Sequence, residues 1–460
     1  MSAVGPERQL MAVDGAPEVD SPATVTTAAD TARPGRWLSI VGIGEDGADG
    51  LTPAARAAIA AAEVVFGGRR HLELAGALIC GAARPWPSPF EVACAAVVAE
   101  RGRRVCVLAS GDPMCFGVGA TLARHVPADE TTVLPAPSAF GLAAARMGWS
   151  LQDVVTLSAH GRPLALVRPH LHPGARLIVL TSDGAGPAAL AALMTALGFG
   201  PSRLTVLEAL GGPRERLRTT TAGGFDLDAI DALNVVAIEV VADAGAAILP
   251  LTSGLPDALF ESDGQLTKRE IRALTLSALA PRRGELLWDV GAGSGSVGIE
   301  WMLADPSLAA IAIEARSDRA GRVRRNADAL GVPGLRLVEG AAPVALATLP
   351  VPDAVFVGGG ATDPGVLDAV IAALKPGGRL VVNAVTVETE AVLAARYAAH
   401  GGDLVRLQVA RAAPVGGMTG WRAAMPVTQW AWTKPAAAEA GDDAEASSAG
   451  AGQRDTEGAP

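Results

Sequence analysis

The residues Leu286-Leu287-Trp288-Asp289-Val290 run without a break into Gly291-Ala292-Gly293-Ser294-Gly295-Ser296-Val297-Gly298. A buried strand that empties into a cluster of glycines has few folds open to it. The glycines allow a tight turn and let backbone N–H groups approach a ligand closely, and a helix is expected from about Ser296 to Leu303. The next apolar run, Ile311-Ala312-Ile313, ends in Glu314, 23 residues after Gly291. An acid at that distance can bind both hydroxyls of an adenosine ribose. Gly293-x-Gly295-x-x-Gly298 also satisfies a dinucleotide fingerprint, so the turn by itself leaves an NAD-dependent oxidoreductase open. Asp289, at the end of the strand, weighs against a pyrophosphate and suits the cationic half of S-adenosylmethionine.

The rest of the chain repeats the alternation of short apolar runs with helix-like segments. Strands are expected at Trp37–Ile43, Val105–Ala109, Val154–Leu157, Leu177–Leu180, Leu204–Leu207 and Val235–Val240 in the first half. In the second they are expected at Glu285–Val290, Ala309–Ile313, Leu335–Val338, Ala354–Val357 and Leu380–Val382, with a final pair near Leu404–Val409 and Val427–Trp432. Continuous apolar strands between helices predict α/β domains with mainly parallel sheets. A chain of 460 residues has room for two. Gly and Pro break both periods between residues 243 and 262, which are expected to be a linker. Residues 1–33 and 435–460 have no apolar period and are expected to be disordered tails. Of the net charge of −10, the two tails carry −8, so the body is close to neutral. That excludes the basic footprint of a nucleic-acid-binding protein.

Further features bound the chemistry. Cys80, Cys94, Cys106 and Cys115 form no C-x-x-C pair and read as buried free thiols, and no Cys/His cluster has zinc spacing, so no metal is expected. His170-Leu171-His172 lies between Pro169 and Pro173, which argues against a metal site. The longest uncharged stretch, Gly184–Ser202, is interrupted by Gly and Pro and reads as a soluble helix from Ala188 to Leu197 with Pro187 in its first turn. With no basic-then-apolar leader, a cytoplasmic protein without membrane attachment is expected.

Near the C-terminal end Leu374-Lys375-Pro376-Gly377-Gly378-Arg379-Leu380 turns into another strand, and this resembles the later part of class I methyltransferases. Leu266-Thr267-Lys268-Arg269-Glu270-Ile271-Arg272, the Asp289–Glu300 segment, Gly340-Ala341-Ala342-Pro343 and Asp353–Gly360 together resemble the decarboxylating precorrin methyltransferase domain over residues 263–434. The resemblance implies a class I, Rossmann-like domain with a mostly parallel seven-stranded sheet. It implies cofactor contacts at Thr267, Asp289, Gly291, Gly293, Gly295, Glu314, Ala341 and Ala342. It also places Gly358, Gly359 and Gly360 on the substrate side, with Lys268 and Arg269 available to substrate carboxylates.

In the first half, Ile40-Val41-Gly42-Ile43-Gly44 is followed by Leu51-Thr52-Pro53, a helix start with Thr52 as N-cap. Val107-Leu108-Ala109-Ser110-Gly111-Asp112-Pro113 follows a second strand, and Pro135-Ala136-Pro137-Ser138-Ala139-Phe140 a third. Each puts a turn at a strand's C-terminal end, where open α/β sheets bind ligands. Together with Leu207–Arg216 they resemble the tetrapyrrole methylase family over residues 34–242. That family has two α/β lobes and binds S-adenosylmethionine, here implied at Gly42, Gly44, Gly111, Asp112, Pro113, Ser138 and Ala139. The sequence departs from the family at Ala139, where a second hydroxyl is common, and at Ala209, where an Asn is common.

One domain of each kind resembles the fused, decarboxylating methyltransferases of the cobalamin pathway. The implied activity is methylation of a precorrin macrocycle at meso carbons 5 and 15, with loss of the ring C acetate carboxyl. One S-adenosylmethionine per domain, a tetrapyrrole substrate and a homo-oligomer are implied as cofactor and partners. Alternatives are a corrin-pathway methyltransferase with one competent site or another regiospecificity, a non-catalytic tetrapyrrole-binding protein, and the oxidoreductase above. The general acid and base are not legible.

Overall fold

Runs of Val, Ile, Leu and Ala too short for helices form the sheets of this protein. The computed structural model describes residues 35–88 and 92–436. The expected tails lie outside these residues, apart from Pro435 and Ala436. Two bodies are present among the described residues: one takes those up to 42 and within 51–135, and the other takes 43–50 and those from 136.

The first body carries β1 (Leu38–Ile43), β2 (Val64–Gly67), β3 (Ala82–Pro85), β4 (Val105–Ser110) and β5 (Thr131–Leu134) in the order β3-β2-β4-β1-β5. β2 is parallel to β3 and β4, and β1 to β5. Leu38, Ile40, Val64, Phe66, Val105 and Val107 are buried in its core. β3 is exposed throughout, which is why no apolar run marks it. Thr52 caps the helix Pro53–Ala61 as expected, accepting the N–H of Ala55 at 3.2 Å.

The second body holds two large sheets. The first comprises β6 (Val155–Ser158), β7 (Arg176–Leu180), β8 (Arg203–Glu208), β9 (Arg216–Thr221) and β10 (Asn234–Glu239), ordered β6-β7-β10-β8-β9. Only β6 and β7 are parallel here; β10 is antiparallel to β7 and β8, and β8 to β9. The expectation of mainly parallel sheets is therefore corrected for this sheet. An unbroken apolar run reports burial on both faces, not the direction of the neighbouring strand. β9, Arg-Leu-Arg-Thr-Thr-Thr, is a polar edge strand and gives no apolar signal. The helix expected from Ala188 spans Gly186–Ala196, with Pro187 in its first turn.

The second sheet comprises β11 (Leu286–Val290), β12 (Ala309–Glu314), β13 (Arg336–Glu339), β14 (Ala354–Val357), β15 (Arg379–Ala384), β16 (Asp403–Leu407) and, after a separate hairpin of β17 (Ala410–Val415) and β18 (Met418–Ala423), β19 (Val427–Thr433). Its order is β13-β12-β11-β14-β15-β19-β16. β11 to β15 run parallel, and β19 runs against both β15 and β16. The run expected as one strand to Val409 thus ends at Leu407, and the hairpin begins at Ala410.

Side chains alternate between the two faces of this sheet. Leu287, Ala312, Ala354, Phe356 and Val381 pack on one side, and Trp288, Val290, Ile313, Val355 and Val382 on the other. Leu249, Leu255 and Phe260 belong to the first of these cores. Within the stretch expected as linker, Leu249, Leu255 and Phe260 are thus anchored in this core, while residues 250–253 between them are exposed.

Candidate active site

The strand order reverses beside β11, since β12 lies on one side of it and β14 on the other. Such a switch point, at the C-terminal ends of the strands, is where open α/β sheets bind ligands. A cavity of about 710 Å³ occupies this place. Its walls include Thr267, Lys268, Gly291, Gly293, Glu314, Ala341, Ala342 and Gly358–Gly360.

The glycine turn is fixed from three directions. The N–H groups of Gly291 and Ala292 donate to the Ile313 carbonyl at 2.9 and 3.1 Å. Glu314 takes the Gly293 N–H on Oε2 at 2.8 Å and the Arg316 N–H on Oε1 at 3.0 Å. A carboxylate has about four acceptor positions, so capacity remains for two ribose hydroxyls. Gly291, at φ +71°, leaves no room for a side chain: a Cβ would stand 2.9 Å from the Gly359 backbone. The loops after β11 and β14 therefore touch backbone to backbone. The helix Ser296–Ala304 leaves the turn in the expected place.

Three of the residues named from sequence stand elsewhere. Asp289 is not on the cavity wall. Its parity on β11 matches Leu287 and turns its carboxyl under the helix Ser296–Ala304, where Oδ2 accepts the Gly298 N–H at 2.9 Å. Oδ1 has no partner, and burial, with Glu314 adding to it, pushes the carboxyl up to about 7 against the pull of the Gly298 N–H. The preference for a cationic ligand thus draws nothing from a carboxylate facing the cavity. Gly295 also lies off the wall: at φ +77°, a Cβ would meet Val323 at 2.8 Å, so this glycine lets the helix Ser317–Ala329 pack close. Arg269 is exposed and outside the cavity.

The segment above the cavity is held by a buried pair that sequence reasoning did not find. Arg272 is fully buried and donates to Glu300 and to the carbonyls of Thr267 and Leu255. Glu300 also accepts the N–H groups of Gly254 and Leu255 at 2.6 and 2.9 Å. The Phe260 ring lies 4.7 Å from the guanidinium carbon. Thr267 and Lys268 are placed by this anchor. Arg316, Arg319, Glu270, Asn383, Arg411 and Met425 also line the cavity and were not expected there. Glu270 and Arg319 come from the first turns of helices, and the others from loops and strand ends.

In the first body, Ser110-Gly111-Asp112-Pro113 leaves the end of β4. Gly111 has φ +54°, and Asp112 closes the turn by accepting the Met114 N–H at 2.9 Å. Ser110 is met by His71 Nε2 at 2.8 Å and by Arg70 at 3.0 Å. Burial, reinforced by Arg70, lowers His71 to about 4, so its ring is neutral near pH 7. Gly42 is buried within β1. In the second body, Gly44 faces the Asp46 side chain, and Ser138 caps the helix Ala139–Met147 by accepting the Gly141 N–H at 3.1 Å.

Of the cysteines, Cys106 is buried, Cys94 and Cys115 are half-buried, and Cys80 is exposed, which corrects the reading of four buried thiols. Among the described residues no group of three His, Cys, Asp or Glu could hold a metal ion, and no helix is long and apolar enough to cross a membrane.

Residues 38–226 match the family of tetrapyrrole (corrin/porphyrin) methylases, and residues 258–434 match the precorrin methyltransferase domain. The precorrin-6Y C(5,15)-methyltransferase [decarboxylating] of a Sinorhizobium species is 63% identical over 398 residues, which are 86% of this chain and 96% of that protein. The chain belongs to this family. It is also similar to two shorter proteins. One is the probable cobalt-precorrin-6B C(15)-methyltransferase (decarboxylating) of Saccharolobus solfataricus, 37% identical over 30% of this chain and 71% of that protein. The other is the cobalt-precorrin-7 C(5)-methyltransferase of Salmonella typhimurium, 29% identical over 42% of this chain and 94% of that protein.

Ala209, one of the departures noted above, sits at φ +46°, a region that Asn and Gly enter more easily than Ala.

Proposed function

We propose that this chain methylates a precorrin macrocycle at carbons 5 and 15 and removes the carboxyl group of its ring C acetate. The glycine turn at the end of β11, closed against Glu314 and the Gly358–Gly360 loop, carries the reading for the second step. The tetrapyrrole methylase domain would take the first, with its own methyl donor at Gly42 and Gly111–Pro113 of the first body. That division agrees with the two shorter relatives, which each bear one activity in their names. The region of β11–β19 would be the class I domain, with one S-adenosylmethionine per domain.

S-adenosylmethionine would supply a methyl group already activated on a sulfonium. The residues present fit it: Glu314 retains acceptor positions for ribose hydroxyls, and Gly291 keeps the turn open to close backbone approach. Thr267, Gly293, Ala341 and Ala342 would complete its contacts. What remains for the protein is orientation, and aligning two reactants can contribute about 7–11 kcal/mol. The wall formed by Gly358–Gly360 would face the macrocycle, and Lys268 its carboxylates. The decisive assay incubates the protein with the reduced precorrin substrate and S-adenosylmethionine and follows product mass. A gain of two methyl groups with loss of one carbon dioxide is expected. Asp112→Ala and Glu314→Ala should each block mainly their own domain's step. One methyl without decarboxylation would remove the second assignment.

A further inference from the structure

One half-buried polar group on the cavity wall is an amide, not a charge. Asn383, at the end of β15, lines the cavity beside Gln429, its partner across to β19. Both side chains converge on Thr275, which is fully buried. The Thr275 hydroxyl donates to the Ile271 carbonyl at 2.8 Å, so its oxygen must accept from the amides. It receives Asn383 Nδ2 at 2.9 Å and Gln429 Nε2 at 3.2 Å. Gln429 Nε2 also donates to Asn383 Oδ1 at 2.9 Å. The direction of one hydroxyl thus fixes which way the Asn383 amide faces and leaves it one N–H for the cavity.

Ile271, Val385, Val409, Met425 and Val427 share the wall, and Arg411, the cation among the hairpin residues there, is paired with Glu270. β15 lies two strands from β11, so Asn383 is ~10 Å across the sheet from the methyl-donor turn. That span suits a ring substituent attached to a carbon under attack.

The geometry points to Asn383 as the residue that holds the acetate carboxylate to be lost, on a wall shared with aliphatic side chains. This rests on the decarboxylating function proposed above. A neutral amide orients the carboxylate without stabilising its charge as a guanidinium would, and poor solvation favours the uncharged product. The bond between the acetate methylene and its carboxyl carbon breaks and carbon dioxide leaves. The electron pair enters the conjugated macrocycle and is taken up by the methyl arriving at carbon 15. The negative charge of the carboxylate and the positive charge of the sulfonium cancel.

The test measures carbon dioxide release and S-adenosylmethionine affinity in the full-length protein. Asn383→Ala should slow release at least tenfold and leave the S-adenosylmethionine dissociation constant within twofold. Thr275→Val, which frees the amide to turn, should slow release severalfold with the same unchanged affinity. Asn383→Lys should lower the KM for the precorrin and also lower kcat, because a cation stabilises the carboxylate that must be lost. Release at the wild-type rate from Asn383→Ala, or faster release from Asn383→Lys, overturns the assignment. Wild-type protein that methylates without releasing carbon dioxide would instead refute the function on which it rests.

Discussion

The turn after β11 and the turn after β4 do similar geometric work by different means. At Gly291–Gly295 the backbone itself is the device: three glycines at positive φ, two of them against neighbours that a Cβ would strike. At Ser110–Pro113 one glycine makes the bend, and side chains some forty residues earlier, Arg70 and His71, hold it. A site built on glycines tolerates no substitution in the turn. Both sites also lean on side chains away from the turn, Arg70 and His71 at the first and Arg272 with Glu300 at the second.

That contrast can be broken by experiment. The largest effect is expected in the brace of the second site. Arg272→Ala leaves Glu300 buried without its cation and should cost about 3–5 kcal/mol in chemical denaturation. His71→Ala, beside the first turn, should cost no more than about 2 kcal/mol. Equal losses would dissolve the distinction.

Within the turns, Gly291→Ala should abolish the decarboxylating methylation, at least a hundredfold by product mass, because the Gly359 backbone cannot yield. Gly111→Ala strains a left-handed residue by roughly 1–2 kcal/mol and should reduce its own step by less than tenfold.

The two sites should also respond to pH with opposite slopes. Asp289 titrates at about 7 in the fold, so the native state holds a proton that the unfolded chain has released. Stability from this residue is present below pH 4 and is lost as pH rises to 7. Asp289→Asn should therefore gain roughly 2–3 kcal/mol on wild type between pH 5 and pH 8. His71, lowered to about 4, binds its proton first in the unfolded chain, and its stability is lost as pH falls from 6.5 to 4. Allowing for partial exposure, His71→Gln should gain roughly 2 kcal/mol on wild type between pH 7 and pH 4.5. Denaturation midpoints of protein and variant across pH read both. Slopes of one sign would show that one of the groups is misjudged.

The smallest effect belongs to Ala209. Glycine there relieves roughly 1 kcal/mol of left-handed strain and forfeits a buried methyl of similar worth, so Ala209→Gly should change stability by less than about 0.5 kcal/mol.

What the sequence made legible follows the same division. Glycine spacing, an acid at the end of the next strand and a proline after a capping threonine are local, so Gly291, Gly293, Glu314 and Thr52 could be named from neighbours alone. Asp289 was misplaced because a motif gives a position along a strand, while period-two alternation decides which face it serves. Arg272, Glu300 and Asn383 were missed because the pairs they form, Arg272–Glu300 and Asn383–Thr275, span 28 and 108 residues. Antiparallel pairing around β10 was missed because apolar content does not encode direction.

The burial of Leu249, Leu255 and Phe260 bears on where the second half can be cut free. Glu300 is complete only with the Gly254 and Leu255 amides, so a polypeptide begun after Phe260 lacks part of its own core and the acceptor's two donors. A separately produced second half should hold together only when it starts ahead of Leu249.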